Sequence, residues 1–211
     1  MTRLSIGIDG YNLALPRGTG VATYGFGLTE TIREMGHSTL GVFGVDIGTR
    51  ADTRELFFYD RIGRERQPET KRQRRRRTRR ELLQMLRGAT AAEVPMTERV
   101  EKRAFAEKLP AFDRVVSLGG LFEIADRRLR RLNSFLTLHV ANPPDIMHWT
   151  YPVPVRVAGA KNIYTLHDLV PLKLPYTTLD RKDDYHRLIR QCLTTADHIC
   201  TVSDSSRDDI L

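Results

Sequence analysis

Residues 162–175 read NIYTLHDLVPLKLP, and residues 196–211 read ADHICTVSDSSRDDIL. In the first stretch a β-branched and aromatic run stops at a His-Asp pair. In the second a shorter run stops at a cluster of Ser and Asp. Between them, DRKDDYHRLIRQCLTTA (180–196) has the composition and length of a helix. Strand, helix and strand in succession predict a parallel sheet covered by helices. Strand ends in such a sheet open onto the crevice where ligands bind.

The amino terminus repeats the pattern. LSIGID (4–9) alternates and ends in Asp9, as a first strand would. YNLALPRGTG (11–20) is a loop rich in Gly and Pro. VATYGFGLTETIREMG (21–36) predicts a helix with Val21, Tyr24, Leu28 and Ile32 near one face and Gly36 as its stop. HSTLGVFGVDI (37–47) is a second strand. The middle is less regular. RELFFYD (54–60) reads as a short strand, RRELLQMLRG (79–88) as a helix ending at Gly88, and TERVEKRAFAEKL (97–109) as another helix. FDRVVSLGG (112–120) is strand then turn, FLTLHV (135–140) strand or loop, DIMHW (145–149) a short strand and HICTVS (198–203) the last. In the final segment Ser205 with Asp208, or Ser206 with Asp209, has capping-box spacing. The fold class is α/β, a Rossmann-like parallel sheet flanked by helices.

The 211 residues suit one large domain, and 40% hydrophobic residues supply a real core. No apolar run is long enough to cross a bilayer, and the first residues lack a signal-peptide centre, so a cytoplasmic location is expected. Cys192 and Cys200, with no Cys or His cluster nearby, read as free buried thiols, and no metal site is expected. The net charge of +8 is concentrated: residues 61–80 hold eleven Lys or Arg and two acids, leaving the rest of the chain near neutral. That segment, with Arg72, Arg74, Arg75, Arg76 and Arg77 at its centre, reads as a basic helical surface over about 61–88. It is either simply solvated or in contact with anionic lipid, and less readily with nucleic acid, since aromatics for base stacking are nearly lacking.

Gly18, Thr19 and Gly20 lie between the first strand and the first helix. Glycines there either make a tight turn or let the backbone approach a phosphate at the helix N-terminus. His148 and His167 stand at predicted strand ends, with Asp168 beside the second and Trp149 and Tyr151 after the first. Imidazoles and carboxylates so placed can hydrogen-bond sugar hydroxyls or position a leaving group. Flat aromatic faces suit sugar rings.

Four blocks, IGIDGYNLALPRGTGVATYGFGL (6–28), DIMHWTYPVP (145–154), YTLHDLVPLKLPYTT (164–178) and ADHICTVSDSSRDDIL (196–211), in this order and spacing resemble the N-terminal half of a GT-B glycosyltransferase. The nearest group is the nucleotide-sugar-dependent retaining enzymes of family 4. The resemblance implies two Rossmann-like domains facing a cleft, of which residues 1–211 form the acceptor-side one, the nucleotide-sugar domain lying outside them. It implies donor diphosphate contact at Gly18, Thr19 and Gly20. Catalytic roles fall to His148, His167 and Asp168. Acceptor contacts fall to Tyr11, Asn12, Trp149, Tyr151, Ser203 and Ser205. The nucleotide-sugar is a co-substrate, and no cofactor or metal is required. The acceptor is a glycan or a lipid-linked sugar, met at the inner membrane face in polysaccharide assembly. The family usually carries Arg where this chain has Tyr11.

Overall fold

The computed structural model describes residues 2–15, 20–62, 71–97, 109–173 and 181–211, with the backbone only over 71–76. The chain opens with β1 (Ser5–Asp9), α1 (Gly20–Glu34) and β2 (Ser38–Phe43). A short 3-10 turn leads into α2 (Arg54–Arg61), followed by α3 (Lys71–Arg87), β3 (Ala89–Thr90), β4 (Ala92–Val94) and β5 (Arg114–Ser117). Then come α4 (Leu121–Leu132), β6 (Leu136–His139), β7 (Ile146–Trp149), β8 (Val155–Val157) and β9 (Lys161–Thr165). The chain closes with α5 (Val170–Lys173), α6 (Lys182–Thr195), β10 (His198–Cys200) and α7 (Asp204–Ile210).

Seven strands form one sheet in the order β10-β9-β7-β1-β2-β5-β4, and β3, β6 and β8 form a small parallel one. In the large sheet every pairing is parallel except β4 with β5. From β1 the chain winds outward through β2 to β5, then returns to β7 on the other side of β1 and winds out through β9 to β10. This is a Rossmann-like, doubly wound α/β sheet, and the β1/β7 boundary is its topological switch point.

Strand alternation sends side chains to opposite faces, and each face builds its own core. Leu40, Val42, Val116, Met147, Trp149 and Tyr164 pack on one side with α4, α6 and the small sheet. Ile8, Phe43 and Val115 pack on the other with Ile32 of α1 and Phe58 of α2. Asn162, 1% exposed, joins the two sheets. Its side-chain oxygen accepts from Trp149 Nε1 (3.1 Å) and Val157 N (2.8 Å), and its amide donates to the Val157 and Ala160 carbonyls. All its polar capacity is used, so it can be buried without penalty.

Three sequence expectations change. RELFFYD is helical, not a strand: Glu55, Phe58 and Tyr59 are its buried residues, at i, i+3 and i+4, and Phe58 meets the Phe43 ring edge-on at 5.0 Å. Burial of that stripe overrides the β preference of the aromatics. On α1 the most buried residues are Gly25, Thr29 and Ile32, an offset of one residue from the predicted Tyr24 and Leu28; Ile32 is shared, and Leu28 still packs on the same core. Gly25 lies against Thr150, whose Cγ2 would stand at an ordinary contact distance of 3.6 Å from a Cβ there. At the carboxyl end the N-cap of α7 is Ser203, whose Oγ accepts from Ser206 N at 3.1 Å, not Ser205 or Ser206. FLTLHV contains a true strand, and the helix expected over 97–109 lies almost entirely outside the described residues.

Of the basic helical segment expected over about 61–88, residues 63–70 lie outside the described residues, and α3 covers Lys71–Arg87 and ends at Gly88, whose φ of +93° closes it. It is anchored to α4. Glu81, 5% exposed, accepts from Arg127 Nη2 at 2.8 Å and from Arg77 Nη1 at 3.3 Å. Arg128 donates to the carbonyls of Met85 and Leu86, and Met85 is in the core. Arg77, expected on the outer basic face, is thus turned inward to Glu81.

Candidate functional site

The carboxyl ends of β1, β7 and β9 lie side by side, and the residues there form one cluster. Asp9 is the last residue of β1 and is 1% exposed. Its Oδ2 accepts from Thr150 N (2.5 Å) and Thr150 Oγ1 (2.8 Å), and its Oδ1 from Tyr11 N (3.1 Å). Burial raises its pKa, and these hydrogen bonds work against that rise. Asp9 therefore staples the turn after β1 to the turn after β7. Gly10 follows because the chain lies on the Phe43 ring: a Cβ there would fall 2.1 Å from it.

On the face covered by α1, His148 of β7 and Thr165 of β9 are neighbours, with His148 Nε2 2.8 Å from Thr165 Oγ1. Tyr24, on the second turn of α1, brings its hydroxyl within 3.4 Å of His148 Nε2 and 3.3 Å of Thr165 Oγ1. Its ring also meets that of His167 edge-on, at 5.4 Å. His167 Nε2 donates to the Thr150 carbonyl at 2.8 Å, which leaves Nδ1 as the remaining ring nitrogen. Ser206 Oγ donates to the His167 carbonyl at 2.8 Å, so the start of α7 holds the loop after β9 in place. Desolvation, with a smaller contribution from His167, lowers the His148 pKa to about 4. At neutral pH His148 is an uncharged imidazole. The two histidines, Tyr24 and Thr165 are a set of hydrogen-bonding groups gathered around the Tyr24 ring.

A second, aromatic set is linked to this one through Asp9, which binds Thr150 N and Tyr11 N. Tyr11, 37% exposed, stacks on Tyr151 (6.2 Å, 20° between planes) and meets Phe122 edge-on at 4.8 Å. Asn12 is buried, and its Nδ2 has no hydrogen-bond partner among the described residues.

Of the expected site, the structure brings His148 and His167 together around Tyr24, and Tyr11 and Tyr151 into the aromatic set, with Asn12 next to Tyr11 in sequence. It corrects others. Trp149 is fully buried, stacked near Tyr164 at 6.1 Å and tied to Asn162, so its ring is core and offers no face to a sugar. Its position on β7 fixes this, since alternation sends His148 and Trp149 to opposite faces. Asp168 is exposed and does not pair with His167; its Oδ1 accepts from Val170 N at 3.0 Å and starts α5. Ser203 serves as the cap of α7, and Ser205 is exposed on that helix. Gly18 and Thr19 lie outside the described residues, and Gly20 is the exposed first residue of α1. No group of His, Cys, Asp and Glu among the described residues has the arrangement of a metal site.

Tyr24, Thr150 and Thr165 were not among the expected site residues. Tyr24 reads as one more apolar position of an amphipathic helix, and the threonines as ordinary strand residues. The available signal was position: Thr165 stands two before the His-Asp pair, and Thr150 two after His148. No protein-family model matches this chain, and no curated protein matches it.

Proposed function

We propose that this chain is the acceptor-side domain of a GT-B glycosyltransferase that moves a sugar from a nucleotide-sugar to a glycan or lipid-linked acceptor with retention. The observation that carries the reading is the cluster at the switch point. Two imidazoles, a phenol and a threonine hydroxyl meet there, and Thr150 and Asp9 link them to the backbone of Tyr11, whose ring forms an aromatic surface with Tyr151 and Phe122. Sugars are bound by that combination: hydroxyls to polar groups, ring faces to aromatics. The position agrees with where open α/β sheets bind ligands.

On this reading the donor's departing phosphate assists the acceptor hydroxyl on the same face, and the protein positions and stabilises. His148, neutral and held by Thr165 and Tyr24, keeps a fixed hydrogen-bonding direction. His167, held by Thr150 and Ser206, offers Nδ1 to the transferred sugar or the diphosphate. The nucleotide pocket belongs to a second domain outside residues 1–211.

The test is sugar transfer from a panel of radiolabelled nucleoside-diphosphate hexoses to glycan and polyprenyl-phosphate-sugar acceptors, using the complete gene product. Transfer is expected, and His167→Ala should lower turnover at least about tenfold with an unchanged melting curve. Unchanged kinetics would remove His167 from the site. Sugar binding without transfer would make the chain a glycan-binding module instead.

A further inference from the structure

The outer face of α3 carries an apolar patch inside its basic field. Leu82, Leu83 and Leu86 are 45%, 54% and 53% exposed, three large apolar side chains on one face of a single helix. Arg79, Arg80 and Arg87 are exposed around them. Helical register places positions 72, 75, 76 and 79 on the same arc as 82, 83 and 86, and all four are arginines. The arrangement is not a loose helix turned the wrong way. The Glu81 bridges to Arg77 and Arg127, the Arg128 bonds to the Met85 and Leu86 carbonyls and the burial of Met85 fix the rotation of α3. With that rotation set, the leucines face out.

We propose that this face of α3 docks on an anionic lipid bilayer, with Leu82, Leu83 and Leu86 entering the interface and the arginines meeting the headgroups. The chemistry favours lipid over nucleic acid. A surface for a phosphate backbone has no use for three adjacent leucines, whereas a basic face with apolar side chains at its centre is what an interfacial helix presents. The helix is about 25 Å long, enough to lie along the surface, and no helix among the described residues is long and apolar enough to cross a membrane. The inference stands apart from the proposed sugar transfer, because docking needs neither donor nor acceptor.

The experiment is flotation of the 211-residue chain with phosphatidylcholine vesicles, with and without about a third phosphatidylglycerol. Binding to the anionic vesicles should exceed binding to the neutral ones at least about tenfold. Replacing Leu82, Leu83 and Leu86 together by Ser should cost at least about tenfold, and so should replacing Arg79, Arg80 and Arg87 by Gln. The single change Leu83→Ser, with its melting curve recorded, guards against a triple variant that folds poorly and should still weaken binding severalfold. In Leu83→Trp the new indole should shift to the blue on adding anionic vesicles. Equal binding to neutral vesicles, or full binding by both leucine variants, would overturn the proposal. So would tight binding to duplex DNA that the leucine changes leave intact, which would make the face a nucleic-acid surface.

Discussion

His148 is held neutral by its surroundings, and this has a consequence for stability. Its pKa is about 4 in the folded chain against 6.5 when unfolded. Above 6.5 the histidine is uncharged in both states and contributes nothing to the pH dependence. As pH falls from 6.5 towards 4 the unfolded chain takes up a proton that the folded chain refuses, and stability drops. The loss approaches about 3 kcal/mol at most. His148→Gln should therefore lose less stability on acidification through this window, measured by urea unfolding at both ends. Identical slopes for the two proteins would show that other groups take up the proton. Trp149 gives the contrasting case. Trp149→Ala should cost about 3–5 kcal/mol in unfolding free energy, as a core residue does. Adjacent in sequence, His148 and Trp149 both read as site residues. Only the alternation of the strand separates them, and which face meets α1 is a tertiary fact.

The helices differ in how much of them was legible. Those with clear stops, α1 before Gly36 and α3 before Gly88, appear where expected, because a glycine with positive φ ends a helix locally. The assignment failed at α2, where Phe57, Phe58 and Tyr59 favour a strand and a distant partner, Phe43, settles the matter. It slipped by two or three residues at α7, where small hydroxylic residues crowd and only the end of β10 tells which one caps. Ser203→Ala should destabilise by about 1 kcal/mol. Hydrogen exchange should show the loss first at the amide of Ser206, and no change there would mean that the cap is dispensable. Glu81→Gln tests the anchoring of α3. It weakens both ion pairs while keeping the shape, so amides of α3 should exchange severalfold faster while those of β2 and β5 stay protected.

Across the whole molecule, the order of strands was legible only in part. Alternating strand and helix imply a parallel sheet, but nothing local says that β7 lies against β1. That junction brings Asp9 to Thr150, and Asp9→Asn should cost about 1–3 kcal/mol because it replaces an acceptor by a group with only one accepting oxygen. An unchanged melting temperature would show that the staple is not needed. Asp9 and Thr150 are 141 positions apart, so their meeting closes a loop that takes in about two-thirds of the 211-residue chain. Contacts of that kind reward the chain only after their entropy has been spent, whereas β1 with β2 and β9 with β10 need far shorter loops. The two halves of the sheet can thus assemble early and join late. The seam where they join also carries the cluster proposed as the binding site, so on that proposal the site would be completed by the last step of folding.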